Sequence, residues 1–75
     1  MTLAQLIARR KGDLAKKGYT FGKARVYWQG HDGNRRVFRV IIPAGGLLMF
    51  ISGTCAFDES DIGGTKSVLV NPNEL

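Results

Sequence analysis

Basic and aromatic residues alternate through the first half of the chain, in a pattern that suits contact with a polyanion. Between residues 19 and 27 every second position carries an aromatic ring or a cationic group, and three arginines follow in the next segment. Lysine and arginine neutralise phosphates, and aromatic rings between them give bases a surface on which to stack. The residues that we predict to form this binding face are Tyr19, Phe21, Lys23, Arg25, Tyr27, Arg35, Arg36 and Arg39.

The charge of the chain is unevenly distributed along its 75 residues. Residues 1–39 carry ten Lys and Arg against two Asp, a balance of +8, whereas residues 40–75 carry one Lys against four Asp and Glu, a balance of −3. An excess of cations favours polyanionic partners and says nothing about the fold. We therefore predict nucleic acid or a nucleoprotein complex as the partner, with an acidic protein surface as the alternative.

The sequence offers no set of residues that predicts catalysis or metal binding. Its single histidine, His31, is predicted in a hairpin loop and its single cysteine, Cys55, in an apolar strand, so nucleophile and base are not expected to meet. The acidic residues at 58–61 lack the spacing of a calcium loop. At 63–67 a threonine separates glycine from the lysine that must follow it directly in a phosphate-binding loop. We predict that the protein is not an enzyme and uses no metal or cofactor.

The signatures of common nucleic-acid-binding modules are also missing from the sequence. It lacks the glycine- and aromatic-rich string of an RNA-recognition sheet, the paired cysteines of a zinc module, and a candidate second helix for a helix-turn-helix. Binding to nucleic acid would therefore use a sheet or hairpin surface, and we expect its sequence specificity to be weak.

The cysteine count and the apolar segments bear on the compartment. A single cysteine cannot form an intrachain disulfide, which favours a reducing, cytoplasmic setting. Residues 40–57 form an uncharged run of eighteen residues, the length of a membrane-spanning helix. Pro43, Gly45, Gly46 and Gly53 interrupt this run, so we predict a turn between two buried strands and no membrane contact.

The start of the chain has the features of an amphipathic helix over residues 2–17. Thr2 and Gln5 have the spacing of a capping box, and Gly18 stands where a helix-ending glycine is expected. Gly12 lies in the middle, where glycine costs about 1 kcal/mol relative to alanine, so we predict a weak point there. Apolar positions recur with the helical period at Leu3, Leu6, Ile7 and Leu14.

From residue 19 the period changes to two, which predicts two strands joined by a hairpin. A three-residue loop of His31, Asp32 and Gly33 gives one apolar face, whereas a two-residue turn at Asp32 and Gly33 mixes charge into both faces. The three-residue loop also places Arg25 opposite Arg39. The predicted pairs are Trp28 with Arg36, Val26 with Phe38, Ala24 with Val40 and Gly22 with Ile42, and the predicted core comprises Val26, Trp28, Phe38, Val40 and Ile42.

The remaining segments complete a single α+β domain over residues 1–75. We predict a buried strand with a bend, or two short strands, at 47–51 and 54–57, an acidic loop at 58–64, a last strand at 66–70 and a tail at 71–75. The expected architecture is an N-terminal helix packed on a small antiparallel sheet of about four strands. The sequence leaves open whether the basic and aromatic face is exposed or lies under the helix.

No motif assigns the chain to a protein family. As a compact, cysteine-poor single domain of small size, it resembles many small proteins of phages and mobile elements, among them anti-CRISPR and host-takeover inhibitors. This resemblance assigns no role to any residue. Two classes of function follow from the residues: a nucleic-acid-binding module, or a protein-binding inhibitor that occupies a partner surface. Self-association through an exposed strand edge is a third alternative.

Overall fold

One helix packs on one face of a four-stranded antiparallel sheet, which confirms the predicted α+β architecture. The computed structural model describes residues 1–74; Leu75, the last residue of the predicted tail, lies outside the described residues. The strand order is β1-β2-β3-β4, so the sheet is a meander with β1 and β4 at its edges. The elements are α1 (Leu3–Lys16), β1 (Arg25–Asp32), β2 (Arg35–Ala44), β3 (Leu47–Cys55), β4 (Gly63–Val70) and a short 3-10 helix (Pro72–Glu74).

The ends of α1 are set by the predicted local signals. The Thr2 hydroxyl accepts a hydrogen bond from the backbone N–H of Gln5 at 3.2 Å, and the Gln5 side chain accepts one from the Thr2 N–H at 2.8 Å. At the other end Gly18 follows the C-cap with a φ of 84°. Contrary to the predicted weak point, the helix runs without a break through Gly12, which is exposed and packs against nothing.

Replacing Gly12 with alanine should therefore stabilise the protein by about 0.5–1 kcal/mol. A Cβ at this position meets no atom within 4 Å, so the gain in helix propensity is not offset by a clash. The measurement is the midpoint of urea unfolding. Gly18→Ala is the matched control: its positive φ of 84° disfavours alanine, so this variant should be destabilised. Equal shifts in the two variants would contradict the helix boundaries.

The core lies between α1 and the two central strands. The buried apolar residues are Leu3, Leu6 and Leu14 on α1, Phe38, Val40, Ile42 and Ala44 on β2, and Met49, Ile51 and Cys55 on β3. This confirms Phe38, Val40 and Ile42 as core residues, each with 0% exposure. Val26 and Trp28 were wrongly predicted as core, since each is 37% exposed. They lie on the edge strand β1, which contributes no residue to the buried cluster.

The register of the first hairpin differs from the predicted one. Val26 pairs with Val40 and Trp28 with Phe38, a shift of two residues, and the chain turns through Gly33 and Asn34 rather than a three-residue loop. The two-residue turn alone would shift the pairing by three residues, and a one-residue bulge between Trp28 and His31, where Gly30 has a φ of 111°, reduces the shift to two. Because the net shift is even, the paired residues of β1 before the bulge and those of β2 keep their predicted faces.

One consequence of the shift concerns the predicted pair of arginines. Tyr27, rather than Arg25, lies opposite Arg39, and Arg25 lies opposite Ile41. The predicted direct juxtaposition of two like charges is therefore wrong. An aromatic ring and a guanidinium are neighbours instead.

The second hairpin confirms the turn predicted within the uncharged segment. Ala44 pairs with Leu47 around Gly45 and Gly46, whose φ angles of 53° and 88° suit a tight two-residue hairpin turn. Residues 47–55 form one strand with an irregularity after Ser52, and β4 begins at Gly63, three residues before its predicted start. Within residues 1–74, no helix has the length and apolar character needed to cross a membrane.

Phe38→Ala should destabilise the protein by about 3–5 kcal/mol, because it opens a cavity at the centre of the core. The Phe38 ring is fully buried and meets the Trp28 ring edge-on, with 6.5 Å between centroids. Chemical denaturation measures the effect. Val68→Ala, at a position that is 50% exposed on β4, is the control and should change stability by less than about 0.5 kcal/mol. A similar small effect at Phe38 would mean that the core has been misassigned.

Candidate functional site

In the described residues 1–74, no α-helix packs on the face of the sheet opposite α1. Alternate residues of a strand point to opposite faces, so the neighbours of the buried residues Val40 and Ile42 point away from the helix. Strand pairing aligns these outward residues in two rows across all four strands. We call the two rows together the open face: Tyr27, Arg39, Ser52 and Lys66 in the first, and Arg25, Ile41, Phe50 and Val68 in the second.

Cations and aromatic rings interleave on the open face. Tyr27 is 45% exposed and lies directly opposite Arg39. The Arg39 guanidinium lies 5.9 Å from the centroid of the Phe50 ring, so this cation adjoins an aromatic ring on either side. Arg25 stands at the β1 edge and Lys66 at the β4 edge. The arrangement provides stacking surfaces and phosphate-neutralising groups within one sheet face.

The open face carries positive charge without a compensating carboxylate. None of the six Asp and Glu residues of the chain belongs to either row. The two salt bridges found within residues 1–74 join Arg10 to Asp13 and Arg35 to Asp61, and none of these four residues belongs to either row. Three like charges on one surface repel one another mildly, and a bound polyanion would relieve that repulsion.

Arg35, a predicted binding residue, is committed to structural contacts. Its Nη1 lies 3.0 Å from the Asp61 carboxylate, its Nη2 donates to the Asp61 carbonyl at 2.5 Å, and its Nε donates to the Thr54 hydroxyl at 3.0 Å. These bonds hold the loop between β3 and β4 against the sheet. Asp61 has a φ of 54°, an uncommon conformation for a residue with a Cβ, and the bonds from Arg35 fix it.

The same loop also ties the start of the helix to the sheet. The Leu3 N–H donates to the Glu59 carbonyl at 2.9 Å, and the Ile62 N–H donates to the Met1 carbonyl at 3.3 Å. Hydrogen bonds from the hydroxyl and the N–H of Ser60 lower the pKa of Asp58 from its usual range. The acidic segment at residues 58–61 therefore makes structural contacts within the protein. No group of three or more metal-ligating side chains occurs in the part of the chain that the structure describes.

Arg36 lies on the helix side of the sheet and not on the open face. It pairs with Cys55 in the row next to the buried Phe38. Its guanidinium stacks on the indole ring of Trp28, 3.5 Å from the ring centroid. This cation–π contact covers one face of the Trp28 ring.

The three predicted residues before β1 are also separate from the open face. Tyr19 is half-buried against the core and packs on the turn, where a Cβ at Gly45 would lie 3.1 Å from its ring. Phe21 is 43% exposed and lies under the Lys11 ammonium, 5.7 Å from it. Lys23 lines a groove beside α1. Of the eight predicted residues, the structure brings Arg25, Tyr27 and Arg39 together on the open face.

Phe50 and Lys66 complete the open face and were not predicted. Phe50 lies in a segment that is predicted as a buried strand, and Lys66 in the segment that is predicted as the last strand. The signal that could have found them is the alternation of β3 and β4 outward positions, but it becomes usable only once the strand pairing is known.

The thiol and the imidazole do not form a catalytic pair. Cys55 is fully buried, and burial raises the pKa of its thiol, with the Arg36 charge acting in the opposite direction. His31 is exposed beside the hairpin turn, and Arg36 separates it from Cys55 in the strand register. The contact needed for a nucleophile and its base is therefore not made.

No protein-family model, no curated protein and no solved structure matches this chain. Function therefore has to follow from the fold and from the chemistry of the open face.

Cys55 should react slowly with iodoacetamide in the native protein, because the nucleophilic thiolate is disfavoured and shielded. Mass spectrometry can compare the labelling rate in buffer and in guanidinium chloride, where labelling should be fast. Ser52→Cys/Cys55→Ala provides a control thiol on the open face, which should label rapidly under native conditions. Rapid native labelling of Cys55 in the parent chain would show that the thiol is accessible.

Proposed function

We propose that the protein is a small non-catalytic binding protein whose open face engages nucleic acid or a nucleoprotein complex. The observation that carries the proposal is the band of three cations, Arg25, Arg39 and Lys66, interleaved with Tyr27 and Phe50 and free of carboxylates. Phosphates pair with such cations and release condensed counterions, which favours binding at low ionic strength.

The number of cations on the open face determines the electrostatic part of the expected affinity. If all three cations contact phosphates, the logarithm of the association constant should fall against the logarithm of the salt concentration with a slope of about −2.7 for duplex DNA and about −2 for a single strand. That contribution is modest, so affinity must also come from contacts with the aromatic and apolar residues of the open face. In this proposal the cations pair with phosphates and the rings stack on base faces, and neither kind of contact reads sequence. Sequence specificity should therefore be weak.

A second candidate function is that of a protein-binding inhibitor, and the apolar residues of the sheet favour it. Ile41, Phe50 and Val68 are adjacent across the strands, and the next row continues with Pro43, Leu48 and Val70. Val68 is 50% exposed, whereas Ile41, Phe50, Leu48 and Val70 are half-buried. A contiguous apolar patch that solvent reaches is a feature of protein interfaces. Such a partner would present an acidic surface to the cations and an apolar anchor to Phe50.

The cellular setting that we propose is the cytoplasm, since the lone cysteine is buried and free. Catalysis is not part of the proposal, because the thiol is inaccessible and the imidazole does not contact it.

Arg25→Glu/Arg39→Glu should abolish nucleic-acid binding, because it reverses two of the three cations of the open face. The matched control is Arg9→Glu/Lys16→Glu, which makes the same change in net charge at exposed positions of α1. Electrophoretic mobility shift over a series of salt concentrations measures affinity and slope. The control should keep most of the parent affinity and slope.

Two outcomes would contradict the proposal. Equal loss in both double variants would mean that binding reports only net charge. Absence of nucleic-acid binding by the parent, together with a nuclease-resistant protein partner in a pull-down that Phe50→Ala abolishes, would establish the inhibitor alternative instead.

A further inference from the structure

Two aromatic rings on the open face are separated by a distance that suits neighbouring parts of one extended strand. Tyr27 is on β1 and Phe50 on β3, two strands apart and one row apart in the register. With strands about 4.8 Å apart and about 3.4 Å per residue, their Cα atoms are about 12 Å apart. The Tyr27 side chain is 45% exposed, and Phe50 is half-buried.

A cation lies between the two rings. Arg39 is opposite Tyr27 in the first row, and its guanidinium is 5.9 Å from the Phe50 centroid. Arg25 and Lys66 occupy opposite edges of the same face. A strand that crosses the sheet from β1 to β4 therefore meets cationic and aromatic groups alternately. This is the combination by which proteins hold single strands without reading their sequence.

A duplex fits the same surface poorly. The face is four strands wide, about 15 Å before side chains are added, and the major groove is only about 12 Å wide. The face would touch a duplex only through phosphates, because paired bases are stacked inside the helix and cannot reach an aromatic ring. Tyr27, Phe50 and the apolar Ile41 and Val68 would then be covered without gaining a partner. A single strand presents phosphates and base faces together.

A second copy of the chain is a less suitable occupant. Two open faces in full contact would bring two sets of Arg25, Arg39 and Lys66 together with no carboxylate from either side. Charge complementarity thus favours an anionic ligand over a self-pairing of this surface.

We infer that the open face binds single-stranded nucleic acid in preference to duplex, with bases stacked on Tyr27 and Phe50 and phosphates paired with Arg25, Arg39 and Lys66. This inference rests on the proposed function and names its ligand class. A face of this size accommodates about four nucleotides, the lower end of the range for single-strand-binding domains.

The test is fluorescence anisotropy with labelled oligonucleotides of about 12 nucleotides, as single-stranded RNA, single-stranded DNA and the DNA duplex of the same sequence. Both single strands should bind about tenfold or more tightly than the duplex at equal salt. Whichever of the two single strands, RNA or DNA, binds more tightly is then assigned as the ligand. Tyr27→Leu and Phe50→Leu keep apolar volume but remove the stacking surface, so each should weaken single-strand binding by about fivefold or more and leave the salt slope unchanged.

Two further variants serve as controls. One removes an aromatic ring that lies outside the open face, and the other removes a single positive charge from the open face. Phe57→Leu removes a ring that is 57% exposed on the loop after β3, and it should leave affinity unchanged. Arg39→Gln should reduce the magnitude of the salt slope by about 1. Circular dichroism checks that each variant is folded. If Phe50→Leu unfolds, Tyr27→Leu on the edge strand still tests the stacking.

The outcomes distinguish this inference from the proposed function. If neither single strands nor duplex bind, both are wrong. If the duplex binds as tightly as the single strands, or if folded Tyr27→Leu binds single strands like the parent, the preference for stacked single strands is wrong while nucleic-acid binding stands. A dimer that forms through the open face and that single-stranded oligonucleotides do not dissociate would place a second copy there and overturn the inference.

Discussion

The structure depends on how much sheet a single helix can cover. A helix of 14 residues is about 21 Å long and about 10 Å wide, so it spans about two strands spaced 4.8 Å apart. Accordingly the residues with 0% exposure lie on β2 and β3, whereas Val26 and Trp28 on the edge strand are 37% exposed. Within residues 1–74, the other face of the sheet receives no α-helix. The polar and apolar character of that second face is therefore set by the strands.

The acidic part of the chain acts within the fold and leaves the open face cationic. Asp61 is paired with Arg35, and the carbonyl of Glu59 receives the first N–H of the helix. The loop that carries these residues thus joins the sheet to the start of α1, alongside the packing of Leu3, Leu6 and Leu14 in the core. Neither carboxylate belongs to the rows that contain Arg25, Arg39 and Lys66. One arrangement of charge serves both stability and the proposed binding.

Local features could be predicted from the sequence, and long-range pairings could not. The capping box at Thr2 and the turn at Gly45 and Gly46 depend on a few adjacent residues, so their patterns were sufficient. The faces of β1 and β2 were also predicted, because alternation survives an even shift. The register was not, because the chain turns at Gly33 and Asn34, and because the bulge near Gly30 then moves the pairing back by one residue. Neither change alters the pattern of residue types.

The residues of the candidate site divide in the same way into those that local patterns predict and those that depend on strand pairing. Arg25, Tyr27 and Arg39 lie on regular strands, where alternation assigns the face correctly. Tyr19 lies before the first strand, so the two-residue alternation that was used to predict its face does not apply to it. Phe50 joins the site only through pairing with another strand. The bulge at Gly30 has a different consequence for the free edge of β1: it bends that strand and interrupts the row of unpaired backbone groups, and so protects the sheet against edge-to-edge aggregation.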